Sequence, residues 1–492
     1  MGRNIPEEAY VRTCFARYLT PSVDWCDVAG ATIDLVPDNA LLEIFYFYFV
    51  RDEDDDIEEW HTLVHVCQKW RYVVFGSPRR LDLRLLCEDR TPVKEMLDTW
   101  PPLPIVVSNY CIEMWDVDNI IAALEHNDRI CEVNLENIPS SQFDKVLAVM
   151  RQPFPALTCL KLRSHDEEVP IIPTSFLGGS APRLQTLHLE SNPFPELPKL
   201  LLSATHLVSL SLWEISHSDF ISPDKMVTAF SVLTKLETLE IRFESPYDYL
   251  QGEDPPNWSR RPPPPTRTVL PVLTQLEFSG AENYLEDLVA RIDVPQLDNM
   301  EITLFHQLIF NTPQLTHFIG RTSKFKSHDE ARVVLSESYG DWDVSITLPQ
   351  TSDRSLRLGI VGACGDSDWD LSSLAQVCSL SFPQTFIPAV EHLYILENIL
   401  RLRWLNYVES SEWLDLLHPF NAAKNLYIAS KIMLYLAPAL RELVGERVTE
   451  VLPALQTIFL DSEEPGLVLE TIGPFITARQ LAGHPIAISS FV

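Results

Sequence analysis

Two histidines have the spacing of a metal-binding pair. His61 and His65 stand four residues apart in a segment of helical periodicity, which would place both rings on one helix face. A metalloprotease of this pattern carries a glutamate base directly after the first histidine, and Thr62 occupies that position. We therefore expect two structural surface histidines and no bound zinc.

A short acidic run resembles the start of a calcium-binding loop, with Asp366, Asp368 and Asp370 at alternate positions. Such a loop requires glycine at its sixth position and a bidentate glutamate at its twelfth. Leu371 and Val377 stand there instead. The run is therefore interpreted as a solvated turn, and no metal is expected.

The motifs of nucleotide-dependent and hydrolytic enzymes do not occur in the sequence, since it has no P-loop, no G-x-G-x-x-G and no G-x-S-x-G. Pro262, Pro265 and Arg267 fit an SH3-ligand pattern, but a proline-rich loop explains them more simply. No acid, base and nucleophile can be assembled from these motifs. We expect neither catalysis nor a cofactor.

Composition and charge narrow the class of protein. The chain has 492 residues, 46% of them apolar and 22% charged, which is a globular composition. With 69 acidic and 38 basic residues the formal net charge is −31, which disfavours binding to nucleic acid or to an anionic membrane.

Cysteine usage and the lengths of the apolar runs indicate the cellular compartment of the protein. The nine cysteines form no C-x-x-C pair, which fits a reducing compartment, either cytoplasm, nucleus or both. The start, MGRNIPEEAY, lacks the layout of a signal peptide. The longest apolar run, residues 41–50 broken by Glu43, is half of the roughly 20 residues that span a bilayer, so no membrane segment is expected.

Residues 34–75 predict two helices with more apolar surface than either can bury against the other. A helix from about Asp38 to Val50 follows Pro37, and a second runs from about Ile57 to Phe75. Each helix therefore needs a further partner. A helical hairpin that caps the following repeats remains an alternative.

These residues resemble the F-box, whose pattern L-P-x-x-[LI]-L-x-x-I-F is followed by V-C-x-x-W. The resemblance implies a three-helix module that binds the Skp adaptor of a cullin-RING ubiquitin ligase. The acidic stretch from Asp52 to Glu59 departs from the family by lengthening the link between the helices. The adaptor-binding residues that it implies are Leu35, Pro37, Leu41, Leu42, Ile44, Phe45, Val66, Cys67 and Trp70.

After residue 127 an apolar-x-x-apolar-x-apolar signature recurs, which is typical of the strand of a leucine-rich repeat. Seven instances begin at Ile130, Leu157, Leu184, Leu207, Leu236, Leu273 and Leu297. The long fifth interval contains the proline-rich insertion 253–266. Beyond Leu315 the signature blurs, then returns with first residues Val377, Val390, Ala423 and Leu455.

The C-terminal segment, from WLDLLHPFNAAKNLYIAS onward, resembles the F-box and repeat proteins of mushroom-forming fungi. The expected fold class is α/β, an all-helical F-box followed by an irregular leucine-rich-repeat-like solenoid with a parallel concave sheet and outer helices. A generic α/β domain with leucine-rich strands is the alternative. The expected divisions are 1–33, the F-box 34–80, a linker or cap 81–126, the repeat array 127–320 and divergent repeats with a cap 321–492.

Strand parity predicts which side chains face outward, because successive residues of a strand point to opposite faces. The outward set on the concave sheet would hold a target protein. Its members are Lys161, Arg163, His188, Glu190, Ser211, Trp213, Glu240 and Arg242. The sequence thus predicts a substrate receptor of a Skp-cullin-RING ligase, with a repeat scaffold outside ubiquitin transfer as the alternative.

Overall fold

The computed structural model describes residues 36–49, 60–88, 92–109, 117–164, 171–216, 221–244, 266–305, 311–325, 328–338, 341–351, 354–363, 371–397, 405, 408–461 and 466–490. Leu35, the acidic stretch 52–59, the aspartates 366–370 and all but residue 266 of the proline-rich insertion lie outside the described residues. By its internal contacts the chain divides into two units. Unit 1 comprises residues 1–161 with 175–178, and unit 2 comprises residues 162–174 with 179–492.

Unit 1 begins with a helical module. Pro37 stands before the first helix, and its carbonyl accepts the Leu41 N–H at 3.1 Å. Three leucine and phenylalanine side chains of that helix are buried, while its remaining described face is exposed. The helices are α1 (Asp38–Phe49), α2 (Trp60–Val64) and α3 (Gln68–Gly76).

The rest of unit 1 alternates short parallel strands with helices. Strands β1 and β2 pair in parallel, and β2 pairs in parallel with β3. Residues 81–126, expected to be a linker or cap, thus contain two strand–helix repeats whose short strands carry no full leucine signature. The elements are β1 (Leu85–Cys87), α4 (Val93–Thr99), β2 (Ile105–Ser108), α5 (Val117–Leu124), β3 (Ile130–Ile138) and α6 (Ser140–Val149), followed by β4 (Cys159–Ser164), whose residues divide between the two units.

The first half of unit 2 is a parallel sheet with a helix in most crossovers. Strands β5, β6, β7, β9 and β11 pair in that order, and each lies at a predicted signature. The elements are β5 (Thr186–Glu190), α7 (Leu197–Leu201), β6 (Ser209–Ile215), α8 (Pro223–Phe230), β7 (Thr238–Phe243), β8 (Thr268–Val269), β9 (Gln275–Gly280), α9 (Glu282–Arg291), β10 (Ile292–Asp293), β11 (Asn299–Phe305) and α10 (Pro313–Arg321), with β8 and β10 forming a separate parallel pair.

Three long strands interrupt the repeats where the signature blurs. These strands, β12 (Glu330–Ser338), β13 (Asp341–Thr351) and β14 (Arg354–Ala363), form an antiparallel meander. Because β14 pairs in parallel with β11, and β12 pairs in parallel with the strand that follows the meander, the sheet continues through it.

The repeats resume after the meander, as predicted, with one correction. The signature at Val377 is not a strand but part of a helix, because Leu371, Leu374 and Val377 recur every three residues on one buried helix face. The elements are α11 (Leu371–Leu380), β15 (His392–Glu397), α12 (Ser410–Leu417), β16 (Asn425–Ile428), α13 (Ser430–Arg441), β17 (Thr457–Leu460), α14 (Gly466–Leu481) and β18 (Ala487–Ser490), whose strands pair in parallel.

Candidate binding surfaces

The interior of the helical module contains three of the residues expected to bind the adaptor. Leu41, Leu42 and Phe45 are buried. The Phe45 ring packs edge-on against Trp70, with 4.8 Å between ring centroids. Phe45 therefore packs α1 against α3, and a substitution at any of these three buried side chains would affect a partner only through the fold of the module.

The outer surface of the module carries large apolar side chains. Ile44 is 56% exposed, Phe47 67%, Val66 51% and Tyr72 76%. Of the expected adaptor-binding residues, Pro37 is also exposed, while Cys67 and Trp70 are half-buried. We call the exposed set the apolar surface of the module, and its members are Ile44, Tyr46, Phe47, Tyr48, Val66 and Tyr72.

The two histidines of the zinc-like pair belong to an aromatic cluster. The His61 ring stacks on Trp100, with 4.9 Å between centroids and 9° between planes. Trp60 packs on the same Trp100 ring and donates its indole N–H to the Arg84 carbonyl at 2.9 Å. Burial, and to a lesser degree the neighbouring His65, lower the pKa of His61 to about 4, so its ring is neutral at neutral pH.

The open face of the unit 2 sheet carries the residues that alternate with buried ones. Leu187 and Leu189 are buried and His188 between them is half-buried, so the strand register is the one predicted. Parallel pairing aligns equivalent positions of successive strands into rows. We call one of these the central row, and it runs His188, Ser211, Glu240, Glu277, Glu301, Arg357, Thr347, Arg332, Tyr394, Tyr427 and Phe459.

Trp213 is the centre of a polar and aromatic network on this face. Its indole N–H donates to Glu240 Oε2 at 2.8 Å, and the Arg242 guanidinium lies 4.1 Å from its ring centroid. His188 packs edge-on against the same ring at 4.7 Å. Arg242 in turn pairs with Glu277 at 2.6 Å. Four of the expected target-binding residues thus form one half-buried cluster.

Two expected target-binding residues are buried rather than exposed. Glu190 is 4% exposed, because Arg163 pairs with one of its carboxylate oxygens at 2.9 Å and His188 lies 3.4 Å from the other. Ser211 is 8% exposed between larger neighbours of the central row. Strand parity predicts the face of a residue but not the side chains that cover it. Lys161, on the unit 1 portion of β4, is exposed.

The outward residues of β15 to β17 form an aromatic stack that the sequence analysis did not identify. The Tyr394 and Tyr427 rings stack at 4.1 Å, and the Tyr427 and Phe459 rings at 4.4 Å, with 7° between planes in each pair. The Arg332 guanidinium lies 5.4 Å from the Tyr394 ring. The signal was present, because an aromatic residue stands between the two strand leucines or isoleucines of each of these three signatures.

Comparisons with known proteins give little further information. No family model matches the chain, and no curated protein matches it. Nine chains of solved structures match it. One of them, the leucine-rich repeat-containing protein LegL7 from Legionella pneumophila, is 14% identical, with 81% of this chain and 97% of that chain covered and a TM-score of 0.26. The repeat architecture described above therefore rests on strand pairing and burial within the chain itself.

Two classes of site are missing from the residues that the structure describes. No group of three or more histidine, cysteine, aspartate or glutamate side chains there could hold a metal ion. Within the same residues, no helix has the length and hydropathy needed to cross a membrane.

Proposed function

We propose that the chain is the substrate-recognition subunit of a Skp-cullin-RING ubiquitin ligase. In this proposal residues 34–80 bind the Skp adaptor, and the open face of unit 2 binds the target protein. The ligase's other subunits would carry out the chemistry, and the receptor would contribute proximity by raising the effective concentration of the target near the loaded ubiquitin carrier.

The observation that carries the proposal is the apolar surface of the module. Large apolar side chains exposed on a folded domain mark an interaction site, and the module exposes six of them: four on α1, Tyr72 on α3, and Val66 in the turn between α2 and α3. The F-box resemblance supplies the identity of the partner. The half-buried network around Trp213 supports protein binding by the open face, because tryptophan and arginine dominate binding energy at interfaces.

The proposal is tested by incubating the purified full chain with a Skp adaptor–cullin complex and asking whether they co-elute in size-exclusion chromatography. We expect co-elution, and we expect Ile44→Asp with Val66→Asp to abolish it, since both side chains are exposed on the module. Leu481→Asp is the matched control, because Leu481 is 85% exposed in unit 2, on α14.

Failure of the unmodified chain to bind any Skp adaptor would refute the assignment to a ubiquitin ligase and leave a repeat scaffold in its place. Equal loss of co-elution in the Leu481→Asp control would show that the assay reports on general solubility, and the role of the apolar surface would then be refuted.

A further inference from the structure

A cavity of about 60 Å³ lies in unit 2, where strands β5, β6 and β7 end. Helices α8 and α9 supply further parts of its wall through Met226 and Tyr284. Its wall is mostly apolar, and six of the residues that line it are Leu189, Phe194, Leu212, Met226, Ile241 and Phe243. Open α/β sheets bind ligands at the ends of parallel strands, so the position of this cavity suits a binding site.

The cavity is open to solvent at the strand ends. Among the residues that line it, Glu214 is exposed, and Ser191 and Ile215 are half-buried. Leu212 and Met226, which also line it, are buried. The cavity therefore reaches from the core to the surface, and a group that arrives from outside can enter it.

Two neighbouring strands end at this opening in an uncommon backbone conformation. Ser191 has a φ of 56° and Glu214 a φ of 52°, both in the left-handed region that favours glycine. They directly follow Glu190 and Trp213, which pair in register. The Ser191 hydroxyl donates to the Glu214 carboxylate, and the Ser191 N–H donates to the Trp213 carbonyl at 3.0 Å. Strained residues of this kind are concentrated at ligand sites, and here two hydrogen bonds hold the strained rim in place.

The volume of the cavity distinguishes a free small molecule from a single side chain. Sites for drug-sized ligands have about 300–1,000 Å³, and a cavity that encloses a benzene ring has about 150 Å³. At about 60 Å³ this cavity is smaller than both, yet several times the roughly 10–15 Å³ that one water molecule needs. A branched aliphatic side chain, such as that of leucine, suits this size better than an aromatic ring.

The charge at the rim indicates which residue would stand next to such a side chain. The Glu214 carboxylate is exposed beside the opening, and the chain carries a formal net charge of −31. Trp213, whose indole N–H donates to Glu240 at 2.8 Å, also lines the cavity. The cavity is therefore continuous with the network around Trp213, and its surroundings favour a partner with a basic residue.

We propose that this space, the strand-end cavity, binds the side chain of a leucine of the target protein, with a basic residue beside that leucine pairing with Glu214. The inference rests on the proposed role of unit 2 in target binding. Burial of the leucine carbons against Leu212, Met226 and Phe243 would supply most of the affinity. The Glu214 carboxylate would supply the preference for a basic neighbour.

The test uses N-acetyl-leucyl-lysinamide as the probe and the full chain as receptor, with binding followed by saturation-transfer NMR. We expect saturable binding. N-acetyl-alanyl-lysinamide lacks three of the side-chain carbons and should bind more weakly by on the order of tenfold or more. N-acetyl-leucyl-glutamic acid amide reverses the charge and should bind more weakly by roughly two- to fivefold, because Glu214 is exposed.

Two substitutions on β6 form a matched pair. Leu210 and Leu212 are both buried, and of the two it is Leu212 that lines the cavity. Leu212→Phe should fill the cavity with its ring, leave the melting temperature nearly unchanged and weaken binding of the leucyl-lysine probe by on the order of tenfold or more. Leu210→Phe adds the same ring to a packed position and should lower the melting temperature.

A second pair separates the charge at the rim from the general charge of the chain. Glu214→Gln keeps an oxygen that can accept from the Ser191 hydroxyl and should abolish the preference for the lysine probe over the glutamate probe. Glu446→Gln, at another exposed position of unit 2, should leave that preference unchanged. An unchanged preference in Glu214→Gln would refute the pairing with a basic neighbour.

Absence of saturable binding, equal binding of the alanyl probe, or undiminished binding by a folded Leu212→Phe chain would overturn the proposal. The alcohol 3-methylbutan-1-ol carries the leucine side chain without peptide groups, and equally tight binding of this alcohol would assign the cavity to a small apolar molecule instead. Should Leu212→Phe fail to fold, the leucyl and alanyl probes on the unmodified chain decide. Co-elution with the Skp adaptor does not depend on this cavity, so failure here with intact adaptor binding would remove the leucine site and leave the proposed function standing.

Discussion

Phe45 and Phe47 lie two residues apart on α1 and allow the interior and the surface of the module to be tested separately. Phe45 is 1% exposed and packs against Trp70, whereas Phe47 is 67% exposed. The two residues have the same side chain and the same helix, so they differ in environment rather than in chemistry. We predict that truncation to alanine has opposite effects on stability and on adaptor binding at the two positions.

The magnitudes follow from burial. Phe45→Ala leaves a cavity in the module and should lower the free energy of unfolding by about 3–5 kcal/mol. Phe47→Ala removes a solvent-exposed ring and should change it by no more than about 0.5 kcal/mol. If Phe47 is a hot spot for the Skp adaptor, its loss should weaken binding by about 2 kcal/mol or more, which is roughly 30-fold.

Two measurements on each variant decide the matter, chemical denaturation for stability and calorimetric titration with the Skp adaptor for binding. Phe47→Ala should unfold like the unmodified chain and bind weakly. Phe45→Ala should lose stability, and its binding should fall only through the unfolded fraction of the module. A stable Phe45→Ala chain would show that the interior is assigned wrongly. Full-strength binding by Phe47→Ala would show that this residue does not take part in the proposed adaptor contact.

Three further predictions concern polar groups that are buried or half-buried. Glu286 on α9 accepts hydrogen bonds from the backbone N–H groups of Gln314 at 3.0 Å and Leu315 at 2.8 Å, in the first turn of α10. Glu286→Ala should therefore uncap α10 and lower the free energy of unfolding by about 1–3 kcal/mol. An unchanged midpoint in urea denaturation would contradict this role. Arg479 is fully buried and donates to the carbonyls of Val448 at 3.2 Å and Leu455 at 3.2 Å. Arg479→Met, which is similar in length but has no donors, should lower the free energy of unfolding by about 3 kcal/mol or more. A smaller loss in the same urea denaturation would show that water replaces the guanidinium. Because the folded-state pKa of His61 is about 4 and its ordinary value is 6.5, its contribution to stability is present above pH 6.5 and is lost as the pH falls toward 4. After allowance for partial exposure we expect a loss of about 1 kcal/mol between pH 7.5 and 5, measured by thermal melting, and His61→Phe, which keeps the stacking, should reduce that dependence.

Strand positions in the first part of the array could be predicted because a local pattern determines them. Each signature places two apolar residues on one face of a strand. Burial of that face stabilises the strand within the sheet and fixes which side chains point inward. Leu187 and Leu189, or Leu239 and Ile241, show the alternation that their sequence requires. The weaker signatures of β1 and β2 were missed, because their residues 85–87 and 105–108 are buried without alternation and do not reveal which face is inward.

The antiparallel meander and the Val377 helix could not be read from the repeat signature. The repeat signature begins with two apolar residues three positions apart, and one face of a helix has the same spacing. Val377 and Leu380 therefore fit either a repeat strand or a helix. The strands of the meander carry alternating residues such as Val344 and Ile346, which predict strands but not which strands pair with them. Pairing across β11 to β14 joins residues more than 50 positions apart, and no local signal contains that information.

Parallel pairing has a consequence for what the open face can bind. Parallel pairing places the same position of successive strands side by side. Glu240, Glu277 and Glu301 are therefore neighbours in the central row, and the aromatic stack lies further along the same row. Like charges at neighbouring positions oppose each other, and Arg242 and Arg357 relieve this for two of the three glutamates. From β7 to β17 the sheet makes eight strand-to-strand steps of about 4.8 Å, or roughly 38 Å along the sheet. A helix would need about 25 residues to cover that length. A protein partner that contacts both the acidic and the aromatic parts would therefore have to present an extended surface, with basic groups and apolar groups separated along it.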